Sequence, residues 1–244
     1  QYLVAGGALA TVFVPVFTAY WSRGDEEAAW RVFSTVVSVT AAVALALVLV
    51  LEVAAGPVAR WMNPFLGDPP PGETIDPAAL AARKEWAWAA VARLSRILLP
   101  AQWCFFLGGL MMGTLNARDR FLAQSLGPVA YNAGQIVCGL LLGRTPLGIA
   151  SMTWGALLGA AAGNFLLPVW DLWRSGARFR PDLDLRHEGV RRVGALMLPA
   201  LLGLSLSQLG FWITGTFVRG EGYVTALRNA YNLTQAPIGI FAQA

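Results

Sequence analysis

The feature that most constrains this chain is a succession of apolar runs, each about as long as a bilayer is thick, separated by short polar connections. The run 32–53 is the plainest, almost all Val, Ala and Leu, with Glu52 only at its end. A bilayer's hydrocarbon core is about 30 Å thick, so a spanning helix needs about 20 mostly apolar residues. About seven such stretches fit the chain. Charged residues make up only 13% of the 244, against about 25% in a soluble domain. That leaves too little polar material to coat a globule, and lipid must supply the missing solvent. The fold class is all-α, a polytopic transmembrane helical bundle.

The spans read as 3–21, 32–53, 88–115, 121–142, 146–173 and 193–218, with a seventh beginning near 222. The chain starts at Gln1 and stops at Ala244 inside apolar segments, and is expected to be an internal portion of a larger carrier. Residues 57–62 are expected to lie along the membrane with Arg60 and Trp61 as anchors. Residues 63–77, rich in Pro, Gly and Asp, form no regular helix, and a helix restarts at Pro77 with an amphipathic opening. Pro15, Pro100, Pro128, Pro199 and Pro237 are expected to break spans into halves. Gly155, Gly159 and Gly163 repeat at the spacing that lets helices approach closely.

Charge sets the orientation. Alternate connections hold Arg23, Arg31, Arg118, Arg120, Arg174, Arg178, Arg180, Arg186, Arg191 and Arg192. The other set holds only Arg60, Arg83, Lys84, Arg144 and Arg219. Cytoplasmic loops are enriched in Lys and Arg, which places the first set inside and 63–77 outside. The net charge of +4 is explained by these loops, and no nucleic acid is expected as a partner.

Enzyme signatures are missing. His187, the one histidine, reads as a solvated loop residue, and no Gly-rich phosphate loop precedes a Lys. Asp182 and Asp184 read as a helix-entry turn. Cys104 and Cys138 lack metal or redox spacing, and neither cofactor nor metal is expected. Within the spans stand Arg93, Arg96 and Arg228, with Asn132, Gln135, Ser205, Ser207, Gln208 and Asn232. Arg93 and Arg96 either snorkel to headgroups or line a cavity that attracts an anion; Arg228 has the same two readings. The uncharged groups either bond between helices or line a polar path.

Several ordered motifs now carry a resemblance. Gly7-Ala8-Leu9-Ala10-Thr11-Val12-Phe13-Val14-Pro15 is similar to a motif of the MurJ/MviN family written near E-G-A-F-S-x-A-F-V-P. Arg96-Ile97-Leu98-Leu99-Pro100 resembles the family's fourth-helix pattern. Leu115-Asn116-Ala117-Arg118-Asp119-Arg120-Phe121 resembles its L-N-x-x-x-R-F turn, and Gly127-Pro128-Val129-Ala130-Tyr131-Asn132 its A-P-x-x-x-N. The run from Gly189 through Met197-Leu198-Pro199-Ala200 to Ser205-Leu206-Ser207-Gln208 is the fullest match.

The resemblance implies a MATE-like fold of the multidrug/oligosaccharidyl-lipid/polysaccharide exporter superfamily, covering about helices two to eight. Residues 1–218 would belong to the N-terminal bundle and 219–244 would begin the second. It implies a carrier that flips lipid II, a polyprenyl-pyrophosphate-linked cell-wall precursor, across the bacterial cytoplasmic membrane by alternating access. The lipid bilayer and a lipid-linked anionic saccharide are the implied partners, with cell-envelope biosynthesis proteins beside them. Arg228, Arg93, Arg96, Asn132, Gln208 and Asn232 are the implied substrate-binding residues. The sequence departs from the family at Gly6, where the family has an acid, and at Asn232, where it has an arginine. Three other readings stay open: an exporter of another lipid-linked saccharide or a drug, a membrane-embedded glycosyl- or acyltransferase, and a non-transporting partner in a cell-envelope complex. A cation-coupled drug exporter calls for acids within spans, where this reading counts only Glu52, at a helix end.

Overall fold

Long apolar stretches without internal turn signals become long helices. The computed structural model describes residues 2–69, 72–217, 226, 229–231 and 233, and no strand occurs among them. In order they form α1 (Tyr2–Trp21), α2 (Glu26–Met62), α3 (Pro77–Asn116), α4 (Leu122–Leu142), α5 (Ala150–Ala160), a π-helical segment (Ala161–Leu166), α6 (Leu167–Arg174) and α7 (Glu188–Phe217). Four stretches among the described residues are long and apolar enough to cross a membrane: α2, α3, α4, and the rod Ala150–Arg174. The spans expected at 3–21 and 193–218 are helical over their described residues, as α1 and α7. Of the expected last span, which begins near 222, residues 222–225, 227, 228, 232 and 234–244 lie outside the described residues, as do 218–221 before it.

The helix ends follow local chemistry. Gly24 takes a left-handed φ of 78° to turn the chain after α1. Asp25 then caps α2, its Oδ1 accepting the Ala28 N–H at 3.1 Å. Asp76 caps α3 in the same way, its Oδ2 accepting the N–H groups of Ala78 and Ala79 at 3.1 and 3.2 Å. Pro77 occupies the first helical position, where its missing N–H costs nothing.

The chain divides into two compact units. The first comprises residues 1–54 and 94–204. Its core joins Phe13 and Phe17 of α1 to Trp30 and Phe33 of α2, Leu110 and Leu115 of α3, Leu172 of α6 and Val193 of α7. Rings dominate one end: Phe17 stacks on Trp21 at 5.8 Å, and Trp30 stands edge-on to Trp21 at 5.9 Å and to Phe33 at 5.6 Å. Away from this core the helices turn apolar side chains outward. Val43, Leu45, Leu47 and Leu49 of α2 and Leu140 and Leu141 of α4 are exposed. An apolar belt of that extent is tolerated only in lipid.

Helix α4 packs on α5 and the π segment through backbone. A Cβ on Gly155 would overlap the Gly134 carbonyl, one on Gly159 would lie 2.8 Å from the Ala130 carbonyl oxygen, and one on Gly163 2.6 Å from that of Gly127. This is the small-residue seam that the glycine spacing predicts. Without a hydrophobic drive between helices in lipid, such close approach supplies the van der Waals contact that holds them.

The prolines behave differently from expectation. Helices α1, α3, α4 and α7 run unbroken through Pro15, Pro100, Pro128 and Pro199, because each proline removes one hydrogen bond while its neighbours remain. Pro237 lies outside the described residues. Among the described residues, the one π-helical segment falls just before Pro168. That residue has no N–H for the Asn164 carbonyl four residues earlier, and the Leu167 N–H reaches five residues back, to Ala162. Gly108 of α3 comes so close to the Asn164 carbonyl that a Cβ would overlap it.

The second unit comprises residues 55–93 and the described residues from 205 onward. Its first part is a hairpin of the end of α2, a loop without regular helix, and the start of α3. Ala55, Ala59 and Ala92 pack together. Arg60 pairs with Glu85 at 2.8 Å, Lys84 with Asp68 at 2.5 Å, and the Trp88 indole donates to the Asn63 carbonyl at 2.9 Å. Residues 57–62 thus continue α2 and are not a separate interfacial piece, while 77–87 open α3 as the restart at Pro77 predicts. The two helices have 37 and 40 residues, about 55 and 60 Å at about 1.5 Å per residue. Both exceed the hydrocarbon core.

Candidate functional site

An arginine within a membrane span is costly unless something compensates its charge. Arg93 and Arg96 stand one turn apart in the middle of α3. Arg96 is exposed, and its Nε donates to the Glu52 backbone carbonyl of α2 at 3.2 Å. A carbonyl satisfies one donor and leaves the cation unneutralised. Arg93 is exposed with no hydrogen-bond or ion-pair partner among the described residues. Asn132 is exposed on α4, on the stripe that also carries Val129, Ile136 and Leu140. Gln208 falls on α7 by its backbone, and its side chain lies outside the description, as do Arg228 and Asn232 entirely. Among the described residues no hydrogen bond or ion pair joins one of these six positions to another; Arg93 and Arg96 are brought together only by sharing a helix.

Two further arginines form a second charged cluster, in the first unit. The turn between α3 and α4 carries them, with Asp119 at φ 59° and Asn116 Nδ2 bonded to Gln124 Oε1. Arg118 lies over both the Trp21 and Trp30 rings, 4.8 and 5.2 Å from the ring centres. Its two terminal nitrogens donate to the Ser175 hydroxyl at 2.7 Å and the Ser175 carbonyl at 2.8 Å. Burial, then repulsion from Arg120, lowers the Arg118 pKa, against the opposing pull of Glu26 and Asp171. Arg120 pairs with Asp171 of α6 at 2.8 Å.

Asp171 corrects the reading that counts Glu52 alone among acids in the spans. It lies inside the expected span 146–173, is 1% exposed, and leaves Oδ2 without a partner. An acid in an otherwise apolar run is the signal that could have found it. Asn164 is equally buried, and neither atom of its amide has a partner. His187 is not freely solvated either: its Nδ1 accepts the Gly189 N–H at 3.2 Å and its ring contacts Tyr20. Beside it Arg186, Glu188, Arg191 and Arg192 line an open cleft of about 480 Å³. No cluster of three His, Cys, Asp or Glu with metal-ligand placement occurs among the described residues.

The whole chain, residues 1–244, matches the family model of the lipid II flippase MurJ. The chain belongs to the MurJ lipid II flippase family. It is 27% identical to the probable lipid II flippase MurJ of Haemophilus influenzae, over 98% of this chain and 46% of that protein. It is 26% identical to the probable lipid II flippase MurJ of Vibrio cholerae, over 98% of this chain and 44% of the relative. To the lipid II flippase MurJ of Burkholderia cenocepacia it is 24% identical, over 99% of this chain and 45% of the relative. The chain therefore spans about half the length of the curated relatives it matches. The MurJ family is one of transporters and not of enzymes. With its apolar helices, this member is a multi-pass membrane protein.

Proposed function

We propose that this MurJ-family chain is part of a transporter that moves lipid II from the cytoplasmic to the outer leaflet of the bacterial cytoplasmic membrane by alternating access. The observation that carries the reading is the pair Arg93 and Arg96, two guanidinium groups in the middle of a spanning helix without a carboxylate partner. A cation left uncompensated in that position is ready for an anion, and a pyrophosphate offers several oxygens to the guanidinium fork. Arg228 adds a third cation, and Asn132, Gln208 and Asn232 supply hydrogen bonds to the head group. Residues 1–218 belong to the first helical bundle of the transporter and 219–244 open the second, with cell-envelope biosynthesis proteins as its neighbours.

Gly6 and Asn232, in place of the family's acid and arginine, favour one second reading. It is a related transporter whose cargo is another lipid-linked saccharide with a less demanding anionic group.

Complementation tests both. The full-length gene is expressed in a bacterium depleted of its own lipid II flippase, beside Arg93→Ala and Arg228→Ala. Rescue that is lost on either substitution supports lipid II as cargo. Failure to rescue, with the protein present in the membrane, sinks the lipid II reading.

A further inference from the structure

The segment joining α6 to α7, residues 175–187, carries Arg178, Arg180 and Arg186, and Arg191 and Arg192 follow in the first turns of α7. All five are exposed. The carboxylates in the segment are occupied with its own backbone: Asp182 Oδ1 accepts the Asp184 N–H at 3.2 Å and Asp184 Oδ1 accepts the Arg186 N–H at 3.1 Å. Among the described residues, no ion pair joins any of the five arginines to an acid.

The segment is also pinned. The Arg180 N–H donates to Ser34 Oγ at 3.1 Å, Phe179 stands edge-on to Phe33 at 6.3 Å, and His187 contacts the Tyr20 ring. Between the arginines, Leu183 and Leu185 are 68% and 57% exposed. In water such leucines would be a liability. At the level where spanning helices leave the bilayer, they can enter the acyl boundary while the long arginine side chains reach phosphates.

We infer that this fixed ledge docks on the acidic phospholipid surface of the cytoplasmic leaflet, the side to which the Lys/Arg asymmetry assigns it. Charge complementarity decides the occupant: five arginines outnumber Asp182, Asp184 and Glu188 on the ledge, and a neutral headgroup layer would leave that positive excess without a counter-charge. The inference does not depend on which cargo the transporter moves.

The test is native mass spectrometry of the full-length protein in neutral detergent with equal amounts of phosphatidylglycerol and phosphatidylcholine. The wild type retains phosphatidylglycerol in preference. Arg178→Gln/Arg180→Gln/Arg186→Gln loses that preference, by about fivefold in binding for each arginine removed at low salt, whereas the corresponding triple Lys variant keeps it. Leu183→Ser/Leu185→Ser lowers total retention without changing headgroup preference. Equal retention of both lipids by the wild type would overturn the inference. So would an unchanged preference in a Gln variant that melts like the wild type, or an acidic soluble protein holding the ledge in place of lipid. Should the Gln variant fail to fold, a salt series on the wild type decides: the preference must fall as ionic strength rises, and a salt-independent preference contradicts the ledge.

Discussion

Arg118 and Arg120, at the turn between α3 and α4, differ from Arg93 and Arg96, in the body of α3, in every aspect of their surroundings. The first pair meets two indole faces, a serine and a buried carboxylate. The second has a single backbone carbonyl between them. Cations tied to several protein groups hold structure, since movement would leave a buried partner such as Asp171 uncompensated. Cations in a spanning helix without a counter-charge are available to a ligand. The contrast predicts that the two pairs fail in different ways when changed.

The largest effect is expected for Arg93→Ala/Arg96→Ala. Transport activity should fall by about 100-fold, about 2.7 kcal/mol in transition-state terms, while the melting temperature in detergent stays that of the wild type. A large drop in melting temperature would erase the contrast. Next comes Asp171→Leu, which strands Arg120 beside an apolar helix. Breaking a fully buried pair costs about 3–5 kcal/mol; Arg120 is 40% exposed and can turn to water, so a loss of about 2 kcal/mol in thermal unfolding is expected. Arg118→Lys keeps the charge but loses the fork on Ser175 and the guanidinium's contact with the Trp21 and Trp30 rings, a loss of about 1–2 kcal/mol in the same measurement. The smallest effect belongs to Glu85→Gln, which removes the solvent-exposed pair with Arg60. Exposed pairs of this kind are worth about 0.5 kcal/mol, and a melting shift as large as that of Asp171→Leu would show that partnering alone does not rank these charges.

Much of the fold is legible in the sequence because membrane helices declare themselves by length and apolarity. The restart at Pro77, the irregular loop before it, and the glycine seam between α4 and α5 all follow from local rules that lipid enforces. What escapes depends on partners distant in sequence. Nothing local shows that residues 57–62 continue the preceding span as one 37-residue helix, where Arg60 and Asn63 meet Glu85 and Trp88 across the hairpin. Pro15, Pro100, Pro128 and Pro199 look like breaks, yet the helices absorb them. The change of helix type sits instead at Asn164, where Pro168 removes the expected donor. At the site, Arg93 and Arg96 stand out in sequence as charges in an apolar run. Asp171 carries the same signal less visibly, at the end of its span and beside Trp170 and Trp173. Its pairing with Arg120 could not be read from either residue alone.

We propose that the arginines of α3, which lack a carboxylate partner among the described residues, serve a lipid-linked anion. Full-length protein reconstituted into liposomes with fluorescent lipid II tests it most directly, comparing the wild type, Arg93→Ala/Arg96→Ala and Arg118→Lys for the rate at which label appears in the opposite leaflet. The wild type is expected to flip lipid II, the double variant to do so about 100-fold more slowly although it melts normally, and Arg118→Lys to flip at a rate that tracks only its lower stability. Flipping at the wild-type rate by the well-folded double variant would contradict it.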